Sequence, residues 1–139
     1  MTNIATAVRV AVDAALRAGT VAAFAPSAVR LYNLAPPMEP IFPYALIRVE
    51  VIGDDTECAE GAEVNVTLEI FAREATFSES VAKVEAIAGD ARKTLTKRLP
   101  LDGHVMDDWL FEGDRPISDP DVLTAHRSVS ITYLTTASA

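Results

Sequence analysis

The sequence predicts an α+β fold, in which two helices pack on one face of a small antiparallel or mixed sheet of four to five strands. Two segments repeat apolar residues at helical spacing, and several others alternate apolar and polar residues as half-buried strands do. In chain order these segments predict the arrangement α-β-β-β-α-β-β. No internal repeat, low-complexity block or linker interrupts them, so we expect one domain over residues 1–139.

The first predicted element is an N-terminal helix. Thr2 or Asn3 can cap its start, and Gly19 is suited to its end. Its apolar positions share one side of the helix: Ile4, Val8, Ala11, Val12, Ala15 and Ala18. The extended segment AVRLYNL follows. The next nine residues, APPMEPIFP, contain four prolines, which exclude a helix and a central strand.

Two strands are predicted next, as antiparallel neighbours. In YALIRVEVI one face carries the apolar residues Ala45, Ile47, Val49 and Val51. In AEVNVTLEIFA the inward residues are Val64, Val66, Leu68 and Ile70. The acidic segment GDDTECAEG between the two strands predicts a long hairpin connection.

The second helix is predicted over TFSESVAKVEAIAGDARKTLTKRL. Thr76 and Glu79 have the spacing of a capping box, which satisfies two free amide donors at the start of a helix. The apolar stripe consists of Val81, Val84, Ala88, Ala91 and Leu95. Pro100 is expected to end the helix. The helix dipole favours cations in the last turns, where four basic residues are expected: Arg92, Lys93, Lys97 and Arg98.

Two final strands are predicted over GHVMDDWLF and HRSVSITYL, with a frayed tail, TTASA. The acidic stretch MDDWLFEGDRPISDPD, residues 106–121, joins them. Gly113, Pro116 and the pair Asp119-Pro120 favour a hairpin loop there, because they interrupt regular structure and support turns.

The charge of the chain is strongly acidic and unevenly distributed. The formal net charge is −8, which argues against tight binding of a nucleic-acid backbone. Residues 53–63 and 102–121 together hold twelve of the twenty carboxylates. Cys58 is the single cysteine, so no intrachain disulfide can form and a reducing cytoplasm is expected. We also expect no signal peptide and no membrane span.

The residues do not predict an active site. From Asp107 or Asp108 onward the acidic stretch lacks the ligand pattern of an EF-hand, although a metal-dependent hydrolase that uses residues 107–121 stays an alternative. His104 and His126 could approach each other across a hairpin, but two histidines and a distant cysteine do not make a zinc site. We therefore predict no catalytic, cofactor-binding or metal-binding residue. Trp109 is expected to pack against the sheet or, as the next choice, to anchor an interface.

A set of anchor residues is spread over four segments that span nearly the whole chain: VRLYNLAPP, FPYALIRVE, VNVTLEIFARE leading into TFSESVAKVEAIAGDARKTL, and HRSVSITYLT. These segments resemble the tail terminator, or tail-completion, family of long-tailed phages and phage-like gene-transfer particles. A Val-x-x-Tyr stretch precedes Pro-Tyr at the head of the first long strand. The residues that match this pattern are Val29, Tyr32, Pro43 and Tyr44. The last strand of the family begins with a basic residue, which is Arg127 in this chain.

The resemblance implies a structural role and no enzymatic activity. Such proteins close the finished tail tube as a ring, usually of six subunits, and form the surface to which the filled head joins. The implied partners are further copies of the chain, the major tail tube protein and a head-completion or neck protein. The implied location is the head-proximal end of a virion tail that is assembled in the cytoplasm of the host bacterium. A neck or head-closure protein is the main alternative, and phage, prophage and gene-transfer particle stay open.

One hypothesis concerns the lumen of such a ring. DNA would pass through the lumen without specific binding, and a negative wall would let it slide, because no bound cations would be exchanged at each phosphate. An open sheet edge could join neighbouring subunits by strand addition. The candidate interface or lumen residues are Asp54, Asp55, Glu57, Glu60, Trp109 and Arg115.

Overall fold

The computed structural model describes residues 3–18, 30–33, 38–54 and 61–138. The elements are α1 (Ile4–Ala18), β1 (Arg30–Asn33), β2 (Tyr44–Asp54), β3 (Gly61–Arg73), α2 (Phe77–Leu95), β4 (His104–Ile117) and β5 (Thr124–Ala137). The five strands form one sheet in the order β1-β2-β3-β5-β4. β1 is parallel to β2, and the other neighbours are antiparallel. The predicted element order and the mixed sheet are confirmed.

Both helices pack on the same face of the sheet, as predicted. Buried residues of α1, α2 and the inward positions of β2, β3 and β5 belong to one hydrophobic cluster. Its fully buried side chains include Leu16, Ile47, Leu68, Ile87, Leu95, Ile131 and Tyr133. The opposite face of the sheet, which we name the open face, carries no helix among the described residues.

α1 begins as predicted, but its buried stripe differs from the predicted one. The Thr6 amide donates to Asn3 Oδ1 over 2.9 Å, so Asn3 is the cap. The buried residues are Ala7, Val8, Ala11, Val12 and Leu16. Ala18 is exposed because the helix ends there, whereas Leu16 lies one turn beyond Val12 and reaches the core. Gly19 lies outside the described residues.

The β2–β3 pair has the predicted antiparallel register. Ala45 pairs with Ile70, Ile47 with Leu68, Val49 with Val66 and Val51 with Val64, so all eight predicted inward residues share one face. A bulge between Val51 and Gly53 interrupts the pairing shortly before β2 ends.

α2 begins as predicted and ends earlier. The Thr76 side chain accepts from the Glu79 amide over 3.2 Å, which is one half of the predicted capping box. The prediction that Pro100 ends α2 is wrong, since the helix ends at Leu95 with Thr96 as its C-cap. Lys97 and Arg98 therefore follow the helix. The chain turns here to bury Leu99, which is 3% exposed, and burial outweighs helical propensity.

β4 and β5 are longer than the sequence predicts. Residues 112–117, predicted as part of a loop, continue β4, and only residues 118–123 connect the strands. Gly113 and Pro116 are tolerated because β4 is an edge strand. The outer side of an edge strand has no neighbouring strand, so an amide donor can be absent there without the loss of a hydrogen bond in the sheet. The predicted fraying of TTASA is also wrong for Thr135–Ala137, which pair with Met106, Val105 and His104.

Candidate interaction surface

The sheet ends laterally in two edges that differ in composition. On one side all of β4 lies at the edge. On the other side β1 pairs only with residues 44–47 of β2, so within the described residues β2 itself forms the edge from Arg48 onward. We name these the β4 edge and the β2 edge. An exposed edge presents unpaired backbone groups and is a possible place for another chain to bind.

The β4 edge contains two bulges and exposed carboxylates. The pairing with β5 shifts between Met106 and Asp108 and again between Phe111 and Gly113, so Asp107 and Glu112 are the inserted residues. Both are exposed. Bulges, charges and a proline are features that hinder extension of a sheet by a foreign strand. This edge is therefore poorly suited to a long continuous backbone ladder.

Apolar side chains also lie exposed at both edges. Leu110 on β4 is 60% exposed and Ile52 on β2 is 55% exposed. Large apolar side chains on a sheet edge are covered when a partner docks there. The alternation of the strands in the sequence cannot identify these two positions, because only the strand order shows that they lie at edges.

Trp109 and Arg115 occupy different surroundings on β4. Trp109 pairs with Tyr133 and packs, half-buried, against the hydrophobic core, which is the sheet-packing position that the sequence favours for it. Arg115 is exposed and pairs with Ser128. Between them, Asp114 forms an ion pair with Arg127. A role of Trp109 or Arg115 in an interface stays a prediction.

The predicted acidic hairpin lies largely outside the described residues. Asp54 is the last residue of β2 and pairs through its backbone with Ala62, but its side chain is not described. Asp55, Glu57 and Glu60 fall within residues 55–60, which are also outside the described part. The lumen hypothesis for these carboxylates therefore stays a prediction.

The two histidines lie at opposite ends of the β4–β5 pair. His104 pairs with Ala137, whereas His126 pairs with Ile117. At about 3.3 Å per residue these positions are roughly 40 Å apart, so the expectation that they approach each other is wrong. No group of three His, Cys, Asp or Glu side chains in the described part of the chain is arranged to hold a metal ion.

His126 belongs to a row of aromatic side chains on the open face. Its ring stacks on Phe71 at a centroid distance of 4.1 Å, and its Nε2 lies 3.1 Å from Glu69 Oε1. Phe71 stacks on Tyr44 at 4.7 Å, and Tyr44 contacts Tyr32 at 5.8 Å. Burial, then the nearby charge of Asp119, then Tyr32 raise the pKa of the Tyr44 hydroxyl. Sequence reasoning missed this row, because its members come from four strands and meet only in the folded register.

Polar side chains occupy the middle of the open face. Asn65 Nδ2 donates to Ser130 Oγ over 2.9 Å and lies 3.2 Å from Thr132 Oγ1, and the Thr67 hydroxyl donates to Asn65 Oδ1. The two contacts of the Asn65 amide cross from β3 to β5, the Thr67 bond lies within β3, and together they satisfy polar groups on the half-buried sheet. The network stabilises the sheet between its two edges and contains no group arranged for nucleophilic catalysis.

The sequence of this chain matches a known protein family over most of its length. The model of the family described as "Tail completion protein gp17" matches residues 10–136 of this chain. The chain belongs to this tail completion family.

Membership places this tail completion protein in the virion tail. The family is structural, so the protein is not an enzyme, and this agrees with the role that the resemblance implies. The alternative of a metal-dependent hydrolase that uses residues 107–121 is therefore wrong, because the family is structural. Four of the six carboxylates in this stretch lie on the edge strand β4, and Asp119 and Asp121 lie in its connection to β5.

Solved structures show the same fold. A chain of the "Virion of native gene transfer agent (GTA) particle" is similar with a TM-score of 0.81 and 19% identity, over 99% of this chain and 100% of that chain. A second solved structure has a TM-score of 0.54 and 12% identity, over 96% of this chain and 95% of that chain. None of the curated protein sequences is similar to this chain. In the described part of the tail completion protein no helix is long and apolar enough to cross a membrane.

Proposed function

We propose that this tail completion protein closes the finished end of the tail tube as a ring of six subunits and forms the surface to which the filled head joins. The family match over residues 10–136 carries the proposal, because it covers nearly all of the chain. The similarity in fold to a chain of a gene transfer agent particle supports it.

The two lateral edges are suited to a ring. A closed ring of identical subunits needs two unlike surfaces on each subunit, which meet head to tail and return to the starting subunit. The β4 edge and the β2 edge lie on opposite sides of the sheet and differ in sequence. With copies of itself on both sides, the subunit leaves its strand ends for the major tail tube protein and for a neck or head-completion protein.

The acidic hairpin is proposed to face the DNA that passes through the ring. Residues 53–63 contain five carboxylates and no basic residue, so bound cations would not have to be exchanged at each phosphate. The triple variant Asp54→Lys, Asp55→Lys and Glu57→Lys is expected to slow DNA transfer while rings and tails still form. Glu85→Lys, on the exposed surface of α2, is the control for added positive charge. Transfer at the wild-type level by the triple variant would refute the role in the lumen.

Electron microscopy of particles from a host that lacks this gene tests the proposed function. We expect overlong or unjoined tails beside filled heads without tails, and a plasmid copy of the gene should restore joined particles. Tails of normal length that lack only their heads would assign the protein to the neck instead. Normal particles from the deletion host would refute both assignments.

A further inference from the structure

We infer that the ring is closed by one lateral contact, in which the β4 edge of one subunit meets the β2 edge of the next at Glu112 and Leu110 against Arg48 and Ile52. The inference rests on the proposed ring and names the surfaces that form it. The occupant of each edge is thus a second copy of this chain. Charge complementarity and the register of the sheet carry the argument.

The charges at the two edges are opposite and available. Arg48 is exposed on β2, and Glu112 is exposed in the second bulge of β4. Within the described residues, neither side chain has a hydrogen-bond or ion-pair partner. Asp114, the next carboxylate along β4, forms an ion pair with Arg127. At this level of β4, Glu112 is therefore the carboxylate that can pair with another molecule.

The register of the sheet places these groups at the same height along the strands. Arg48 pairs with Thr67, Thr67 with Ser130 and Ser130 with Gly113, which follows Glu112. A row across all four strands therefore joins Arg48 at one edge to the Glu112 bulge at the other. In a ring whose axis runs along the strands, rotation keeps each residue at its height, so Arg48 meets Glu112 of the neighbour.

The exposed apolar residues follow the same register. Glu50 pairs with Asn65, Asn65 with Thr132 and Thr132 with Leu110. Ile52 lies two residues beyond Glu50 on β2, within reach of that level. The rotation that joins the charges therefore places Leu110 opposite Glu50, with Ile52 two residues (roughly 7 Å) further along β2. A contact between the Leu110 and Ile52 side chains removes two exposed apolar groups from water.

The ends of the two edges beyond this level limit the contact. Asp108 lies at the height of Gly53, with the bulged Asp107 beside it, and β2 has no basic residue beyond Arg48 to pair with these carboxylates. The subunits are accordingly in contact from the Arg48 level to the Ile52 level and diverge from Gly53 onward. Side chains hold this contact, since the bulges of β4 interrupt a continuous backbone ladder.

Charge reversal in cells tests the inference. The deletion host receives Glu112→Arg, Arg48→Glu, both single variants together, or one chain that carries both changes. Each single variant brings like charges together at every contact of the ring, so we expect joined particles to fall at least about tenfold. Two single variants expressed together can alternate around a ring of six with opposite charges at each contact. We therefore expect recovery to within about twofold of wild type from this mixture and from the double variant.

Controls separate folding from assembly. Glu85→Arg and Lys93→Glu, both exposed on α2, should leave particle number unchanged. Circular dichroism and the Tm of each purified variant should match wild type. Full function of both single variants would overturn the inference. So would failure of the singles, the mixture and the double variant alike, which would show that the charges meet another protein. If the wild-type gene itself does not restore joined particles, the proposed function fails instead.

Discussion

The hydroxyl of Tyr133 is predicted to stabilise the end of α2. Tyr133 is 0% exposed, and its hydroxyl donates to the Leu95 carbonyl over 2.7 Å. Leu95 is the last residue of α2, and the last carbonyls of a helix have no partner within the helix. Tyr133→Phe removes the donor and leaves this carbonyl buried and unsatisfied.

The cost follows from the burial of both partners. A net hydrogen bond contributes about 1 kcal/mol, and a buried acceptor left without a partner costs about 1–3 kcal/mol. We expect Tyr133→Phe to lower the free energy of unfolding by about 2 kcal/mol. For a domain of this size that corresponds to a fall in Tm of about 5–10 °C.

Urea unfolding followed by circular dichroism measures this loss. Tyr32→Phe is the control, because it makes the same chemical change at a half-buried position on the open face. A Tyr133→Phe variant with the midpoint and slope of wild type would refute the reasoning. It would show that the Leu95 carbonyl has another partner or that the hydroxyl gains nothing over water.

Three further outcomes are expected. Burial raises the pKa of Tyr133 far above its ordinary value. The stability that the neutral hydroxyl contributes is therefore full below about pH 10, and it falls above that pH because Tyr133 ionises in the unfolded chain. Above about pH 10 the stability of wild type should fall more steeply than that of Tyr133→Phe. Ser80 is buried, and its hydroxyl accepts from the Glu74 amide over 2.8 Å and donates to the Leu123 carbonyl over 2.6 Å. Ser80→Ala should therefore lower the free energy of unfolding, measured in urea, by about 1–3 kcal/mol. Ser78→Ala, at an exposed position, should leave it almost unchanged. Hydrogen bonds from Thr124 and then from Arg73 lower the pKa of the Asp121 carboxyl. The difference in Tm between wild type and Asp121→Asn should therefore be present at pH 7 and disappear as the pH falls from about 4 through the lowered pKa. A difference in Tm that stays constant over this range would contradict the prediction.

Local signals predict the helices and the inner strands well. The start of α2 follows from Thr76 and Glu79, whose spacing provides a cap for the first free amides. The register of β2 against β3 follows from alternation, because a slip by one residue would move every apolar side chain to the open face. Such features depend on neighbours within a few residues, so the sequence alone contains them.

Edges and lengths depend on what each strand packs against. Pro116 and Gly113 predict a loop by themselves, yet both lie in β4, since the outer side of an edge strand does not require every amide. α2 ends at Leu95 rather than at Pro100, because burying Leu99 is worth more than another helical turn. In each case a long-range contact decides against the local preference.

By itself, the sequence determined the class of fold, the order of its elements, the face that each inner strand buries, and the family. Only the tertiary structure decided that Arg48 and Glu112 lie at one height on opposite edges, or that Tyr44, Phe71 and His126 form a row on the open face. The physical reason is that strand order and register bring together residues far apart in the chain. Periodicity shows which way a side chain faces, and only the assembled sheet shows which residues lie beside it.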